Sequence, residues 1–342
     1  MKNKKRIAII FNDVHLKQGN EKEILEAFID MIDFAVDTKI NNIFLAGDLF
    51  DSRSMQRQST LFTFDKCLSY ADSFSINIFA IAGNHDKTIY ESKDSFLYPF
   101  RYHPSFHYMD DIVDVEMEDF GKKFTFLPFF TDDLLIKKIK ESDGGDCLIS
   151  HFEMVGSTNL GKVNKKSNIT PSMLSKWDKV FLGHYHNYHK VSENIAHLPA
   201  FVQSNFGEDT NKGFTVLYED LSYEIIQSKS KKYIRVDVDL DKMVQKDIDN
   251  LVEEYKDSTN SIQFRFKGNK AQIKALNKEQ FNNTSISINC DFNEEIPIEN
   301  KSESIKVYTK ENIKDTFKEY CISKKLNYKK WLPYIDSFLK YK

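Results

Sequence analysis

Five short clusters along the chain combine side chains that bind metal ions. Each places aspartate, asparagine or histidine within a few residues of a partner, and together they hold five of the nine histidines. In chain order they are Asp13-Val14-His15, Gly47-Asp48-Leu49-Phe50-Asp51, Gly83-Asn84-His85-Asp86, Ser150-His151 and Gly183-His184-Tyr185-His186.

Imidazole and carboxylate groups together suit borderline divalent ions such as Mn, Fe or Zn better than the all-oxygen sites of Mg or Ca. In an extended loop, residues i and i+2 point the same way, so Asp13 with His15 and His184 with His186 can each present two donors on one side. A carboxylate shared by two ions holds them ~3.5–4 Å apart, the separation used to clamp an in-line displacement. The clusters therefore predict a paired divalent metal site.

Four of the clusters directly follow an apolar run that reads as a strand. Strands are predicted at Arg6–Phe11, Asn42–Ala46 and Ile76–Ala82, alternating with helices at Glu21–Thr38 and Gln56–Ala71. Further strands are predicted at Lys123–Leu127, Cys147–His151 and Val180–Gly183, followed by an antiparallel hairpin of Phe214–Tyr218 and Tyr223–Gln227. This alternation predicts an α/β fold with right-handed crossovers, in which active groups gather at the carboxyl ends of the strands.

A polar, charged stretch at 228–232 suggests a linker to a second, smaller domain. Strands at Tyr233–Val238 and Ser261–Phe266 flank a helix at Lys242–Tyr255, which predicts an α+β unit, and Asp291–Ser304 is expected to be irregular. The predicted domains are therefore residues 1–227, 231–295 and a C-terminal helical segment at 305–342.

The C-terminal segment carries two apolar stripes at helical spacing, formed by Ile313, Phe317 and Tyr320 and by Trp331, Ile335 and Phe338. Its last forty-two residues hold eleven lysines against five acidic residues. Docking onto a partner helix is favoured because the large apolar side chains need burial. A surface that follows a polyanion and a segment folded back onto the second domain are the alternatives.

Composition excludes several classes of protein. The chain has 342 residues, of which 41% are hydrophobic and 29% charged, with a formal net charge of -3. Such a chain can bury a sizeable core, and it is not a uniformly basic nucleic-acid coat. No apolar run approaches the ~18 residues of a membrane span. Four widely spaced cysteines predict free thiols, so a cytoplasmic protein is expected.

The order of the clusters is DxH, GDxxD, GNH[DE], H and GHxH, and in this respect residues 5–225 resemble the calcineurin-like metallophosphoesterases. The resemblance implies a four-layer α/β/β/α sandwich. Within that superfamily, Gly-Asp-Leu-Phe-Asp at 47–51 and the stretches at 151–156 and 200–214 look like the SbcD-type DNA repair nucleases. Those include the recombination endonuclease subunit of T4-like phages.

The resemblance also implies a role for each cluster residue. Two divalent ions are implied, with manganese favoured and magnesium the alternative. Asp48 would bridge them, His85 would protonate the leaving oxygen without binding metal, and Asp86 would orient the His85 ring. The remaining implied ligands are Asp13, His15 and His186 for the first ion, and Asn84, His151 and His184 for the second.

The function expected from the resemblance is metal-dependent DNA exonuclease and endonuclease activity. The protein would be a homodimeric subunit of a double-strand-break repair and recombination complex that includes a coiled-coil ATPase of SbcC type. A phosphatase of protein or small-molecule phosphoesters is the first alternative. It is disfavoured at two positions. The protein phosphatases have glutamate at the position of Asp86, and they have Arg-Gly after the last aspartate of the second cluster, where this chain has Ser52. A non-catalytic DNA-binding subunit is the second alternative, disfavoured by the intact ligand set and His85.

Several residues near the clusters have two readings from sequence. Asp51 is either a polar neighbour of the site or a helix N-cap. Arg53 and Arg57 either contact a DNA phosphate or lie on a solvated helix face, the second being favoured. Phe96, Tyr98, Phe100 and Tyr102 are expected in the core rather than stacked on bases, and His103, His107, His189 and His197 are expected to be structural or exposed.

Overall fold

The computed structural model describes residues 4–159, 162–281 and 286–292, together with residues 317–318, 321–322 and 328. Two compact units make up the chain, residues 1–293 and residues 294–342. The strands and helices with stated bounds all belong to the first unit. The predicted C-terminal segment, with its two apolar stripes, falls outside the described residues except at those last five positions. The predicted domain boundaries stay predictions.

Strands account for most of the regular structure in the described chain. In chain order they are β1 (Arg6–Phe11), β2 (Asn42–Ala46), β3 (Asn77–Ile81), β4 (Phe106–Met109), β5 (Val113–Met117), β6 (Lys122–Leu127), β7 (Gly145–Ser150), β8 (Thr158–Asn159), β9 (Lys162–Val163), β10 (Trp177–Leu182), β11 (His189–Lys190), β12 (Ile195–His197), β13 (Gly213–Tyr218), β14 (Tyr223–Gln227), β15 (Tyr233–Asp239), β16 (Ser261–Gly268) and β17 (Ile286–Phe292).

The described α-helices are α1 (Glu21–Thr38), α2 (Gln58–Ser73), α3 (Asp132–Glu141), α4 (Gln245–Tyr255) and α5 (Lys270–Ala275). In α1, Ile24, Phe28 and Ile32 recur at four-residue spacing and are buried, so one face of the helix packs against the sheet. The helix ends at Lys39, which adopts the left-handed conformation typical of a C-terminal cap. Among the described residues, no helix combines the length and apolar composition that a membrane crossing requires.

The first large sheet has the strand order β14-β13-β1-β2-β3-β4. Strands β1 to β4 are parallel, with Ile10 opposite Phe44 and Leu45 opposite Ala80. The hairpin of β13 and β14 adds antiparallel strands beside β1, as the sequence predicts. The carboxyl ends of β1, β2 and β3 therefore meet at one edge of this sheet.

The second large sheet has the strand order β11-β12-β10-β7-β6-β5. Its four central strands, β12, β10, β7 and β6, are parallel, and the edge strands β5 and β11 are antiparallel to their neighbours. Strands β7 and β10, which precede two of the clusters, are adjacent, with Leu182 opposite Ser150.

Three hydrophobic cores separate four layers. Phe28 of α1 and Phe64 of α2 belong to the core on the outer face of the first sheet. Phe44 and Phe126 lie in the core between the two sheets. The third core joins Leu135 of α3 to the outer face of the second sheet. This arrangement confirms the predicted α/β/β/α sandwich.

A third, smaller sheet follows, with the parallel order β15-β16-β17. Helix α4 connects β15 to β16, and α5 lies between β16 and β17 in the chain. Its core contains Phe264, Phe266 and Ile248. The predicted strand–helix–strand order of the small domain is present.

Some local predictions differ from the structure. Helix α2 begins at Gln58 rather than at Gln56, and Phe62, predicted on its apolar stripe, is 58% exposed. Asp291 was expected in an irregular stretch but belongs to β17. Strands β4 and β5 and helix α3 were not predicted, because each is only partly buried and therefore has a weak apolar pattern.

Candidate metal centre

Parallel strands bring the first two clusters side by side. Beyond the ends of β1 and β2, the two loops continue to pair through their backbones: Asp13 N–H donates to Gly47 O at 3.0 Å, and Val14 N–H donates to Asp48 O at 2.8 Å. The pairing places the Asp13-Val14-His15 turn directly against Asp48.

Two glycines allow the clusters to approach one another. A Cβ atom on Gly83 would lie 2.1 Å from Asp48 Oδ1, and one on Gly183 would lie 2.6 Å from both Ala46 O and His151 Nδ1. Real Cβ atoms do not make such contacts, so these positions require glycine. Gly83 thus lets the third cluster approach Asp48 of the second, and Gly183 lets the second sheet approach the end of β2 in the first.

The backbone at the clusters is strained. Seven described residues other than glycine have positive φ, and four of them are cluster residues: Asp13 (50°), His15 (48°), Asp48 (53°) and His184 (87°). Such conformations cost free energy for residues with a Cβ atom, and they concentrate at functional sites. At this site they turn carboxylates and imidazoles toward a common point.

Asp13, His15 and His186 form the first group of donors. The Nε2 atoms of His15 and His186 are 3.0 Å apart. Asp13 Oδ1 lies 3.8 Å from the His15 Nε2 atom and 3.7 Å from the His186 Nε2 atom. Three donors within this distance of one another could hold one metal ion.

Asn84, His151 and His184 form the second group. Asn84 Oδ1 is 3.0 Å from His184 Nδ1 and 3.2 Å from His151 Nε2. His151 is fully buried, and its Nδ1 atom is 2.8 Å from Ala46 O, to which it donates a hydrogen bond. The Nε2 atom of His151 therefore faces the group with its lone pair.

Asp48 lies between the two groups. Its Oδ2 atom is 3.2 Å from His151 Nε2 and 3.8 Å from His15 Nε2, while its Oδ1 atom accepts a hydrogen bond from His85 N–H at 2.7 Å. One carboxylate oxygen thus faces a histidine from each group, which is the position expected of a bridging ligand.

Buried atoms at the site fit divalent cations. Asp13 Oδ1 is buried and has no hydrogen-bond partner, although a buried carboxylate oxygen normally needs one. The Nε2 atom of His151 faces acceptor oxygens of Asp48, Asn84 and, at 3.9 Å, Asp13. A cation satisfies all of these lone pairs at once, so the residues present fit the metal pair implied by the sequence.

Opposite charges are closely packed among the donors. Burial opposes ionisation of Asp13, but the His151, His15 and His186 rings hold the pKa of its carboxyl well below the usual range. Burial lowers the pKa of His15, but the neighbouring Asp13 and Asp51 carboxylates, with the Asp48 charge, raise it to about 10. The carboxylates therefore hold a proton on His15 when no metal ion is bound.

His184 behaves in the opposite way. Burial and the neighbouring His151 lower the pKa of His184 to about 4. A neutral imidazole is the form that binds metal ions. His184 therefore needs no deprotonation near neutral pH to act as a ligand.

His85 lies beside the site with a ring orientation that differs from the prediction. Its Nδ1 atom donates to Asp51 O at 2.6 Å, and its Nε2 atom is 3.0 Å from Arg53 Nη2. Asp86 was predicted to orient this ring, and that prediction is wrong. The Asp86 carboxylate instead accepts hydrogen bonds from the backbone N–H groups of Leu49, Phe50 and Gly83.

Asp86 therefore joins two loops rather than orienting an imidazole. It is fully buried, and burial with the nearby Asp48 charge raises its pKa to about 7, against the hydrogen bonds from Phe50 and Gly83. Through these bonds it fastens the third cluster to the second. Its short side chain reaches the backbone of the Asp48 loop, which places it away from the His85 ring.

Asp51 is a neighbour of the site and not a helix cap. Its Oδ1 atom is 3.5 Å from His15 Nδ1 and 3.2 Å from Lys17 Nζ. The N-cap position of α2 is occupied by Arg57, so the alternative reading of Asp51 is wrong. The Lys17 and His15 hydrogen bonds lower the pKa of Asp51 to about 2, with the His15 bond the larger cause.

Two residues that contact the site went unrecognised or were read differently from sequence. Glu208 Oε1 is 2.7 Å from His186 Nδ1. Arg53 contacts His85 and also donates a hydrogen bond from Nη1 to the Tyr90 hydroxyl at 2.7 Å. Glu208 lies in the irregular stretch before β13, where no spacing or periodicity marks it. Arg53 was expected on a solvated helix face, but it precedes α2 and contacts His85.

The remaining residues singled out by sequence lie apart from the donors. His197 is buried and bonds to Ser157 and Gly183 O, while His107 bonds to Asn77. Phe96 and Phe100 pack against the first core, whereas the Tyr98 and Tyr102 rings flank the Arg101 guanidinium on the surface.

Comparison with known proteins identifies a family. Residues 8–223, more than half of the chain, match the family described as calcineurin-like phosphoesterase. The solved structures similar to this chain include a dimetal phosphatase from Danio rerio, with a TM-score of 0.44 and 11% identity over 63% of this chain and 93% of that one. They also include the nuclease MPE from Pseudomonas putida, with a TM-score of 0.33 and 15% identity over 63% of this chain and 85% of that one.

Proposed function

Because the chain belongs to the calcineurin-like phosphoesterase family, we propose that it is a metal-dependent phosphodiesterase that hydrolyses DNA. The family uses a dinuclear divalent metal site. The observation that carries the proposal is the position of Asp48 Oδ2, 3.2 Å from His151 Nε2 and 3.8 Å from His15 Nε2. One carboxylate oxygen between two sets of donors is an arrangement suited to two cations and has no packing use in a core.

The residues that would hold the ions follow from the geometry. The first ion would be held by the first group of donors, the second ion by the second group, and Asp48 would be shared. Manganese is proposed because the donors mix imidazole nitrogens with carboxylate and amide oxygens. When bound, two such ions lower the pKa of a water nucleophile and neutralise charge that builds on the phosphoryl oxygens.

His85 would act as the acid for the leaving oxygen. The Asp51 carbonyl accepts from its Nδ1–H, which fixes the ring and leaves Nε2 for proton transfer. In the structure, the Arg53 guanidinium donates a hydrogen bond to the His85 Nε2 atom. Arg53 would have to turn toward a phosphoryl oxygen of the substrate, and Nε2 would have to take up a proton from solvent, before His85 could give that proton to the leaving group.

DNA is proposed over other phosphoesters on the sequence resemblance. Gly47–Asp51 and the stretches at 151–156 and 200–214 look like the SbcD-type repair nucleases, and Ser52 with Asp86 departs from the protein phosphatase pattern. On the same basis we propose that the protein is a homodimeric subunit of a repair and recombination complex with a coiled-coil ATPase. The small sheet and the C-terminal segment are the proposed DNA-capping and ATPase-docking parts.

The test is hydrolysis by the purified protein with Mn²⁺ on three substrates: duplex DNA, single-stranded DNA and a phosphomonoester such as p-nitrophenyl phosphate. The proposal predicts strand cleavage in DNA, with the phosphomonoester turned over far more slowly. The Asp48→Asn variant, isosteric but without the bridging charge, is the control for a contaminating nuclease.

Other outcomes identify the alternatives. Turnover of the phosphomonoester without cleavage of either DNA would identify a phosphatase. DNA binding with no hydrolysis of any substrate, in protein loaded with metal, would identify a non-catalytic subunit.

A further inference from the structure

Glu208 is a buried carboxylate in contact with a proposed metal ligand. Its side chain is only 5% exposed, and Oε1 lies 2.7 Å from His186 Nδ1. The other nitrogen of that ring, Nε2, lies 3.0 Å from His15 Nε2 within the first group. The His186 ring therefore stands between Glu208 on one side and the donors of the first ion on the other.

The contact decides which nitrogen of His186 carries the proton. An ionised carboxylate can only accept a hydrogen bond, so the Nδ1 atom facing Glu208 must be the donor. In neutral imidazole the Nε2 atom then carries the lone pair, and it is Nε2 that points to Asp13 and His15. Metal-binding histidines commonly donate their second N–H to a carboxylate, which fixes the tautomer and strengthens the ligand.

The loop that carries Glu208 is built to hold this carboxylate in place. Ser204 donates to Glu208 through its hydroxyl at 2.5 Å and its backbone N–H at 3.1 Å, and the Asn205 side chain donates at 2.7 Å. Four donors, counting His186, thus surround one carboxylate. A buried carboxylate without hydrogen-bond donors would cost free energy. The loop and the His186 ring together supply the donors that the Glu208 carboxylate needs.

The same segment is hydrogen-bonded to the small sheet, to the fifth cluster and to Asn12, the residue before the first cluster. Gln203, which is buried, donates to Tyr233 O at 3.0 Å and accepts from Tyr233 N–H at 2.9 Å, at the first residue of β15. Just before the loop, Ala200 N–H donates to His186 O, and Phe201 N–H donates to Asn12 O. The backbone of His186 and its ring are therefore held by one continuous segment, residues 200–208.

We propose that Glu208 is a positioning residue that holds His186 as the Nδ1–H tautomer, so that Nε2 is free for the first metal ion. The proposal rests on the metal centre of the proposed function. Glu208 touches neither substrate nor, through its own oxygens, the other donors of the site. Its effect is on the affinity for metal, transmitted through the ring of His186.

A purely structural role is the competing explanation, in which Glu208 only ties its loop together. Two variants separate the explanations. Glu208→Gln has the same shape and can still accept from Ser204, but it lacks the charge that requires a donor at Nδ1. Ser204→Ala removes a loop hydrogen bond and leaves the carboxylate beside His186. Glu219→Gln, at an exposed acid in the turn after β13, is the matched control.

The experiment measures Mn²⁺ affinity by calorimetry and the melting temperature of the metal-free protein for the full chain and each variant. Glu208→Gln is expected to weaken one of two sites by ~10–100-fold, the usual effect of losing such a partner. Ser204→Ala should lose less affinity than Glu208→Gln, and the metal-free melting temperature of Glu208→Gln should fall no further than that of Ser204→Ala. Glu219→Gln should match the parent protein in both measurements. ¹⁵N NMR of histidine rings in parent protein loaded with diamagnetic Cd²⁺ should show the proton of His186 on Nδ1.

Three results would overturn the proposal. They are unchanged metal affinity in Glu208→Gln, an equal loss in Ser204→Ala, or a proton on Nε2 of His186 in the Cd²⁺-loaded protein. The NMR measurement needs no variant, so it decides the matter even if Glu208→Gln does not fold. A parent protein that binds no ion would instead contradict the proposed function.

Discussion

At the scale of single residues, the two oxygens of Asp48 have different environments. Oδ1 accepts the His85 N–H, and Oδ2 faces His15 and His151. The first contact holds the carboxylate at a fixed angle, so the second is directed at both donor groups. The role of Asp48 was predictable only from the order of the five clusters together, because a Gly-Asp pair after a strand is by itself a common turn.

His85 is expected to serve catalysis and not metal binding. Replacing it with alanine removes a ring that bonds to Asp51 O and Arg53. The His85→Ala variant should keep its bound ions and its affinity for DNA while cleaving DNA ~10²-fold or more slowly, the usual size of an acid–base contribution. Metal content by mass spectrometry and single-turnover cleavage give the two quantities.

His107→Ala, on a partly exposed strand away from the donors, should behave like the parent protein in both measurements. Loss of an ion in His85→Ala would make His85 a ligand, since it lies within reach of His15 and Asp48. Cleavage at the parent rate would remove His85 from the mechanism.

At the scale of elements, the site exists because strands from two sheets end at one place. The order of the clusters and the apolar runs before them predicted this, since both features lie in short stretches of sequence. The strands Arg6–Phe11 and Asn42–Ala46 and the helix Glu21–Thr38 have the predicted bounds. Edge elements such as α3 were not predictable from a polar, partly exposed pattern.

Contacts between distant loops could not be predicted. Glu208 lies twenty-two residues from His186 in the chain, and Arg53 lies thirty-two from His85. Neither separation is a recurring period, so only the folded chain shows these pairs. The error at Asp86 has the same origin, because the resemblance implied a contact with the neighbouring His85 ring, whereas the folded chain directs the carboxylate to the distant Leu49 and Phe50 N–H groups.

The glycine of the third cluster is expected to be essential to the element-level arrangement. In Gly83→Ala the new Cβ would overlap Asp48 Oδ1 at 2.1 Å and Asp48 N at 2.4 Å. Overpacking of this kind typically costs about 1–3 kcal/mol, and here it also displaces the shared carboxylate. Urea denaturation should show that loss of stability, together with weaker metal binding.

Gly121→Ala is the matched control, because no heavy atom lies within 4 Å of its added Cβ. Gly121 has φ of 57°, so its variant carries only the backbone cost of about 1 kcal/mol and should keep its metal sites. Equal metal affinity in Gly83→Ala and the parent protein would show that the Gly83 and Asp48 loops can move apart without disturbing the site, which would contradict this prediction.

At the scale of the whole molecule, metal ions are expected to stabilise the fold. The site buries carboxylates and imidazoles whose free lone pairs converge, so ions should bind the folded chain far better than the unfolded one. A free ion concentration 100-fold above Kd adds about 2.7 kcal/mol per site. A chelator should therefore lower the melting temperature of the Mn²⁺-loaded protein by several degrees, reversibly on adding Mn²⁺ back.

Asp48→Asn should respond much less to the chelator, because both of its sites are weakened from the start. A parent protein whose melting temperature is the same with Mn²⁺ and with chelator would show that the converging groups are satisfied without ions.

The C-terminal segment is expected to dock onto the coiled-coil ATPase partner. The sequence predicts two short amphipathic helices there, and such helices are not stable unless their apolar faces are buried. Large apolar anchors at helical spacing would suit a groove on a partner. Removing residues 305–342 should leave a protein that still cleaves DNA with Mn²⁺ but no longer co-purifies with the ATPase. Unfolding or aggregation of the truncated chain, with partner binding mapped elsewhere, would place the segment in the core of the protein.

The number of metal ions bound by the folded chain tests the central claim most directly. Mass spectrometry of purified, Mn²⁺-loaded protein should find two ions per chain, and Asp48→Asn should lose affinity for both, because one carboxylate oxygen faces both donor groups. One ion or none in the parent protein, or two ions bound by Asp48→Asn with unchanged affinity, would contradict a two-metal phosphoesterase centre.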